Sequence, residues 1–521
     1  MDRRKFIRDV TLASMSVPFF IKNLSAQATP IGGFNIPASY EDRVLIIIRM
    51  NGGNDGLNTI IPLNQYDNLN IQRPNIIIPE SKILMGSNDL GFHPAMTGIH
   101  NLFQEGRASI IQGVGYPNQN RSHFRSNDIW TTGSTSIYEK RGWLGRFFEQ
   151  DHPEYPVNYP NDEYQDPFAI TLGGSLSATC QGTVSNFSAL VSNPNNTFDL
   201  SENNGNNDGT MFGCNNDFVS TLISQTNEYG ERINNAYDLG NSLSNYYYVD
   251  NNPQNDYKSK LAEQMRYVAQ MIAGGMKTKV YVLNVGGFDT HGQQVDEFDT
   301  TIGDHADLLK EISDAVYAFE NDLSLLNLDH RVMGMSFSEF GRQVASNGSN
   351  GTDHGDAAPL FLFGKCISQS VIGSNAVISS DVIKQKGVDM QFDFRDVYAS
   401  IMKDWFKVSE ERIENIFPDH TPSYIDIMDE FLCSEQDNVD PFLLWPNPSE
   451  GLFFVDFYSP GGDTKVNLVD VTGKLIKEFF DQAVERGRKK MQFDITGVSS
   501  GYYRVTVQAS DGIKSVPLII K

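Results

Sequence analysis

Val44-Leu-Ile-Ile-Ile-Arg49 runs almost directly into Asn51-Gly-Gly-Asn-Asp55-Gly-Leu-Asn58. A strand-length apolar run without alternation reads as a strand buried on both faces, the habit of a parallel sheet. The glycines behind it read as a tight turn at the strand's carboxyl end, holding Asp55 close to a ligand or ion. Similar runs recur at 108–112, 279–285, 331–337 and 359–363. Between them, Leu261, Met265, Val268 and Ile272 share one helical face. Leu308, Leu309, Ile312, Val316, Phe319 and Leu323 share another. Strands alternating with amphipathic helices predict an α/β fold, doubly wound around a mostly parallel sheet.

Residues 151–255 break this rhythm. They are rich in Asn, Asp, Gly and Ser, and 193–209 is nearly low complexity. The segment reads as an Asn-rich insertion passing over the sheet edge. The chain has 521 residues, of which 40% are hydrophobic, enough for a large core. Its net charge of −24 argues against a nucleic-acid partner and against docking on an anionic membrane. It is compatible with binding cations. The acidity is concentrated in the middle. Residues 1–28 hold five basic against two acidic residues, and 443–521 ten against nine.

In open α/β sheets ligands bind beyond the carboxyl ends of the strands. The unusual polar residues fall there. Asp55 follows the first strand, and its loop lacks both the P-loop lysine and the dinucleotide spacing. Asn120-Arg-Ser122-His-Phe-Arg125 follows the second. A serine opening a helix beside arginines suits a nucleophile with an anion contact, although a lone serine at such a place is more often a helix N-cap. Gly286-Gly-Phe-Asp289-Thr-His291 follows the third strand. Glu339-Phe-Gly-Arg342 and Asp353-His354-Gly355 follow the fourth. Carboxylates and imidazoles at successive strand ends are what a hard or borderline divalent cation wants, be it Zn, Mn, Ca or Mg. A buried cluster of Asp55, Asp289, Glu339 and Asp353 would need a compensating cation.

Both ends read as addresses. Arg3-Arg4-Lys5-Phe6-Ile7-Arg8, a short apolar run and Ala26-Gln-Ala28 resemble a twin-arginine signal peptide over residues 1–28. This implies the twin-arginine translocase as a partner. After a linker at 426–442, residues 443–521 carry five runs of period two punctuated by glycines, the pattern of a β-sandwich. Pro446-Asn-Pro448, Gly451, Val469-Asp470, Thr472-Gly-Lys474, Gly501-Tyr-Tyr-Arg-Val505 and Ile520-Lys521 resemble the C-terminal sorting domain of the type IX secretion system (Por secretion tail). The resemblance implies handling by that machinery and delivery through the periplasm to the cell surface or medium. Of the four cysteines, Cys180 and Cys214 flank the loop-rich segment and are the expected disulfide; no CxxC pair points to structural zinc.

Across residues 40–425 the motifs, in order, resemble the DUF1501 family of exported proteins. They are Gly52-Gly-Asn-Asp-Gly-Leu-Asn58, Phe92-His-Pro94, Arg121-Ser-His-Phe124, Gly142-Trp-Leu-Gly145, Gly287-Phe-Asp-Thr-His291, Glu339-Phe-Gly-Arg342 and Asp353-His-Gly355. The resemblance implies a fold like the alkaline phosphatase and sulfatase superfamily. It implies Asp55, Asp289 with His291, Asp353 and His354 as metal ligands, with Glu339 auxiliary. Ser122 would be the nucleophile and Arg121 an anion contact. The sequence departs from that pattern in its short Asp289-x-His291 spacing, and only His420 lies downstream of Asp353-His-Gly355. The ligand set then supports one metal or none.

Two readings follow. One is a metal-dependent hydrolase of phosphate or sulfate esters. The other is a non-catalytic surface protein on the same fold, binding a small molecule, glycan or partner chain. Convergence of Asp55, Asp289 and Asp353 on one point separates them.

Overall fold

The computed structural model describes residues 42–433 and 443–521, apart from 88, 196–210, 369, 383–384, 446–447, 450, 460–461, 471–473, 485–486 and 510–511. The proposed signal at 1–28 and most of the linker lie outside the described residues. The chain divides into two units, Met1–Leu432 and Cys433–Lys521.

The large unit is built on one sheet. Its strands are β1 (Val44–Gly53), β2 (Ala108–Gly115), β3 (Ala169–Leu172), β4 (Ser188–Val191), β5 (Val280–Val285), β6 (Val332–Phe340), β7 (Ala358–Phe363), β8 (Val371–Ile372) and β9 (Phe392–Asp393). The order is β8-β2-β7-β6-β1-β5-β3-β4, with β9 beside β2. All neighbouring pairs are parallel except those of β7, which runs antiparallel to both β2 and β6. The five strands read from apolar runs are all present.

β1 lies in the middle of the sheet, between β5 and β6, which is why its run is apolar on both faces. Val44, Ile46, Ile48 and Met50 pack into the core with helices α1 (Thr97–Gln104), α4 (Met211–Leu239), α5 (Lys260–Ala273) and α6 (Asp304–Leu325). Leu45 and Ile47 are equally buried at the other face. Helices α2 (His123–Thr132), α3 (Trp143–Asp151) and α7 (Phe394–Ser400) bring an aromatic stack to β6: Trp130 lies flat on Phe337 and Phe394, and Trp143 on Tyr398. Helices on two faces make the fold doubly wound. Among the described residues no helix is long and apolar enough to cross a membrane.

Two sequence expectations change. The segment 151–255, read as an insertion, supplies β3 and β4 to the sheet and the 29-residue helix α4. These strands have four residues each, too short for a periodic signal. The expected Cys180 disulfide is also wrong. Cys180 is free and fully buried, its thiol pushed up to about 12 by that burial, whereas Cys366 and Cys433 are disulfide-bonded. Flanking the same loop in sequence did not make Cys180 accessible to a partner.

The small unit pairs 443–445, 452–459 and 487–494 in one antiparallel sheet and 475–484, 462–470, 501–509 and 512–520 in another. Phe453, Val455, Phe457, Val466, Leu468, Val505, Val507, Leu518 and Ile520 share one core between them. The period-two runs are thus inward-facing rows of a sandwich.

Candidate metal centre

Four loops meet at the carboxyl ends of the parallel strands. Because β7 is antiparallel, its amino end lies at that same edge, so the loop before it joins the loops after β2, β5 and β6. The β1 loop contributes by yielding space. Gly52 has φ of +111°, and a Cβ there would lie 2.6 Å from the Asp289 nitrogen. Phe288 donates its N–H to Asn51 O at 3.1 Å, so the chain carrying Asp289 docks directly on the Gly-rich turn. Gly355 allows a similar crossing, since a Cβ would lie 2.2 Å from the Arg342 carbonyl carbon.

The side chains that converge are Asp289, His291, His354 and His123. Asp289 Oδ1 lies 3.1 Å from both His291 Nε2 and His354 Nε2, and these two nitrogens are 2.8 Å apart. Asp289 Oδ2 lies 3.4 Å from His123 Nε2. Ligand-type atoms of His123, Asp289 and His354 all fall within 4.8 Å of one another.

The other nitrogen of each ring faces an oxygen. His123 Nδ1 is 2.7 Å from Glu339 Oε2. His291 Nδ1 is 3.1 Å from Asp353 Oδ1. His354 Nδ1 is 2.8 Å from the carbonyl oxygen of Arg121. A carbonyl or carboxylate oxygen only accepts, so each Nδ1 carries the proton and donates it. A ring in its neutral form then presents Nε2 as a lone pair, and all three Nε2 atoms lie around the Asp289 carboxylate. Lone pairs at this spacing repel unless a proton or a metal cation stands among them. Imidazoles keyed through Nδ1 to an oxygen, with Nε2 free, are the arrangement of metal-ligating histidines. The residues therefore fit a divalent ion.

Sequence reasoning located this edge of the sheet and five of its residues: Asp289, His291, Glu339, Asp353 and His354. It missed His123, which opens α2 and turns inward, whereas Ser122 is exposed at the N-cap and makes no side-chain capping bond. The strand-end rule that chose Ser122 applies equally to its neighbour. Glu339 and Asp353 approach the centre through the rings of His123 and His291.

Asp55 is not part of the cluster. It is buried, and Arg73 NH1 donates to its two oxygens at 2.9 and 2.7 Å while Gln294 Nε2 donates to Oδ2 at 2.6 Å. Burial raises its pKa, and the charges of Arg73 and His305 with these hydrogen bonds outweigh that and lower it. The Arg121 guanidinium is likewise engaged, donating twice to Asp356 at 2.9 and 2.7 Å.

Charge balance also differs from the expectation of a cup of unpaired carboxylates. One terminal nitrogen of buried Arg342 donates to Asp289 Oδ1 at 2.8 Å and to the carbonyl of Phe288, and its other two nitrogens bond the carbonyls of Gly53 and Thr352. Burial pushes Asp289 up, but Arg342 and the histidines outweigh it and bring it to about 2. Arg49 lies 3.4 Å from Glu339, and Asp353 is half exposed. Arginines compensate half-exposed Asp289 and buried Glu339, so what the cluster offers a cation is its imidazole nitrogens.

A doubly wound α/β unit with a histidine–carboxylate centre at its strand ends, followed by an all-β unit, is thus the class of protein in hand. Residues 222–415 match the family model for DUF1501, a protein of unknown function, and residues 443–521 match that for the secretion system C-terminal sorting domain. The sorting domain marks the chain for export to the cell surface or beyond. No curated protein matches the chain significantly. Among solved structures, a protein in the alkaline phosphatase superfamily from Vibrio parahaemolyticus is similar at 9% identity and a TM-score of 0.31, covering 96% of this chain and 90% of its own. A phosphonate monoester hydrolase from Silicibacter pomeroyi has 8% identity and a TM-score of 0.32, covering 92% and 88%. A sulfatase from Pseudoalteromonas sp. has 10% identity and a TM-score of 0.30, covering 87% and 83%.

Proposed function

We propose that the protein is an exported hydrolase of phosphate or sulfate esters, carried by the twin-arginine route and then the type IX machinery. It would work with a divalent ion held by Asp289, His354 and His123. The observation that carries this reading is the convergence of three imidazole Nε2 atoms on one carboxylate at the first turn of α2. The helix amino terminus adds partial positive charge there. That local field suits an anionic ester, which the chain's overall acidity would otherwise repel.

When bound, the ion supplies Lewis-acid polarisation of a phosphoryl or sulfuryl oxygen. Ser122 lies between Arg121 and His123, both of which touch the cluster, and is the nucleophile in this reading. Its oxygen bonds to phosphorus or sulfur as the ester bond breaks, and its proton leaves with the alcohol. Water then attacks the serine ester, releasing phosphate or sulfate and restoring the hydroxyl. Glu339, Asp353 and the Arg121 carbonyl hold the rings through Nδ1. The substrate is a small molecule or glycan bearing such an ester.

Asp55, Asp289 and Asp353 do not converge on one point, because Arg73 and Gln294 hold Asp55 apart, and this favours a second reading, a non-catalytic surface protein that binds a ligand on this fold. The test is turnover of 4-nitrophenyl phosphate and 4-nitrophenyl sulfate by metal-supplemented mature protein. Release of nitrophenol that Ser122→Ala abolishes supports the hydrolase. Failure to cleave either compound, or full activity in Ser122→Ala, overturns it.

A further inference from the structure

Three imidazoles and one carboxylate are an unusual donor set for a hard cation. Calcium takes six to eight oxygens, and magnesium prefers oxygen in a near-octahedral shell. A set dominated by imidazole suits zinc and its neighbours, which accept four ligands. His291 Nε2 sits 2.8 Å from His354 Nε2 and 3.1 Å from Asp289 Oδ1, so it can be a fourth ligand beside His123, His354 and Asp289. The nearby carboxylates are already committed. Glu339 Oε2 accepts from His123 Nδ1 at 2.7 Å, and Asp353 Oδ1 accepts from Asn347 Nδ2 at 3.1 Å as well as from His291. Asp55, the oxygen donor that the family resemblance assigns, is closed off by Arg73 and Gln294.

We infer that the centre takes a single ion of the zinc class, with His123 as one of its ligands and Glu339 as a positioning residue acting through His123. The inference rests on the ion-binding half of the proposed function and not on catalysis. It assigns to His123 a place that the family resemblance gives to no residue of this loop. Ser122 and Asp55 are left outside the ligand set.

The test uses the full mature chain, stripped with chelator, checked for folding by circular dichroism, and titrated with cobalt(II) and zinc. Cobalt should bind at one equivalent per chain, give the strong visible absorption of four-coordinate nitrogen-rich cobalt, and be displaced by zinc. Millimolar calcium or magnesium should not displace it. His123→Ala should abolish the stoichiometric spectrum. Glu339→Gln should weaken affinity about 10–100-fold at unchanged stoichiometry. Absence of stoichiometric binding, preference for calcium or magnesium, or unchanged zinc affinity in folded His123→Ala would overturn the inference. Stoichiometric zinc with no ester cleavage removes the hydrolase and leaves this assignment standing. Cleavage supported by calcium alone does the reverse.

Discussion

His354 Nδ1 donates to the main-chain oxygen of Arg121 at 2.8 Å, so the loop before β7 reads the backbone of the loop before α2. That backbone is itself pinned, because the Arg121 guanidinium grips the Asp356 carboxylate with two nitrogens and donates to Gln385 O at 2.9 Å. Asp356 lies two residues beyond His354, so the ion pair and the imidazole contact close a small ring of interactions. If the proposed centre holds an ion, the pair should act as a clamp on His354 more than as a source of stability.

Asp356→Asn is therefore expected to separate the two roles. Partly exposed ion pairs contribute about 0–1 kcal/mol, so the denaturation midpoint should barely move. Loosening the carbonyl that holds the His354 tautomer should weaken zinc affinity about tenfold. Parallel urea melts and metal titrations decide it. A large stability loss with unchanged metal affinity would contradict the clamp.

The buried ion pair of Asp55 with Arg73 should behave in the opposite way. Both side chains are almost completely excluded from solvent. Removing one partner strands the other charge, at a cost of about 3–5 kcal/mol. Asp55→Ala and Arg73→Met should each lower stability by that order, measured by chemical denaturation. Folded protein recovered from either variant should still bind one zinc. Loss of metal at full stability would return Asp55 to the ligand set.

How far the sequence could be read follows from these residues. The five apolar strand runs declared themselves because both of their faces are buried, and the polar residues at their ends pointed to the right edge of the sheet. Asp353 and His354 precede a strand, and they reach that edge because β7 runs antiparallel. No local pattern encodes that direction. Asp55 looked like a ligand because its partner is distant in kind as well as place. Arg73 is one more charged residue in the sequence, and only the fold carries it into the core. His123 was hidden by its neighbour: at a helix start, one residue of rotation decides which side chain faces inward. β3, β4 and α4 were lost in a segment whose asparagines suggested only loops.

Gly52 ties the Gly-rich turn to the candidate metal centre. At φ of +111°, with the Asp289 nitrogen 2.6 Å from where a Cβ would stand, alanine meets backbone that cannot yield. Gly52→Ala should cost about 2–4 kcal/mol and displace Asp289. It should lower zinc affinity in whatever fraction folds. Gly173 also has positive φ, of +135°, but nothing lies within 4 Å of its Cβ position, so Gly173→Ala serves as the control for strain alone. Equal effects on metal binding from the two variants would argue against the docking role of Gly52.

Acid should loosen the molecule from a place next to Asp55. His93 and His305 are buried with ring centres 6.1 Å apart. His305 Nε2 donates to Asn54 Oδ1 at 3.0 Å, and His93 Nδ1 accepts from Ala95 N at 3.1 Å. Burial brings His93 down to about 3, with His305 adding to the effect and Asp55 opposing it. Burial likewise brings His305 to about 4, against the pull of Asp55 and with Arg342 and Arg73 adding to it. Both rings are thus neutral in the folded protein at pH values where an unfolded chain would protonate them. Between pH 6.5 and about 4 the unfolded state binds more protons, so stability is complete above that window and falls as pH drops through it. The slope should approach ~1.4 kcal/mol per pH unit for each histidine. Urea midpoints measured from pH 7.5 to 4.5 should decline accordingly, and His93→Gln should remove part of the slope even if it lowers stability at neutral pH. Asp55, whose pKa is lowered, acts in the same direction only at more acidic pH. A profile that stays flat down to pH 4.5 would mean that these rings reach solvent or gain a partner on protonation.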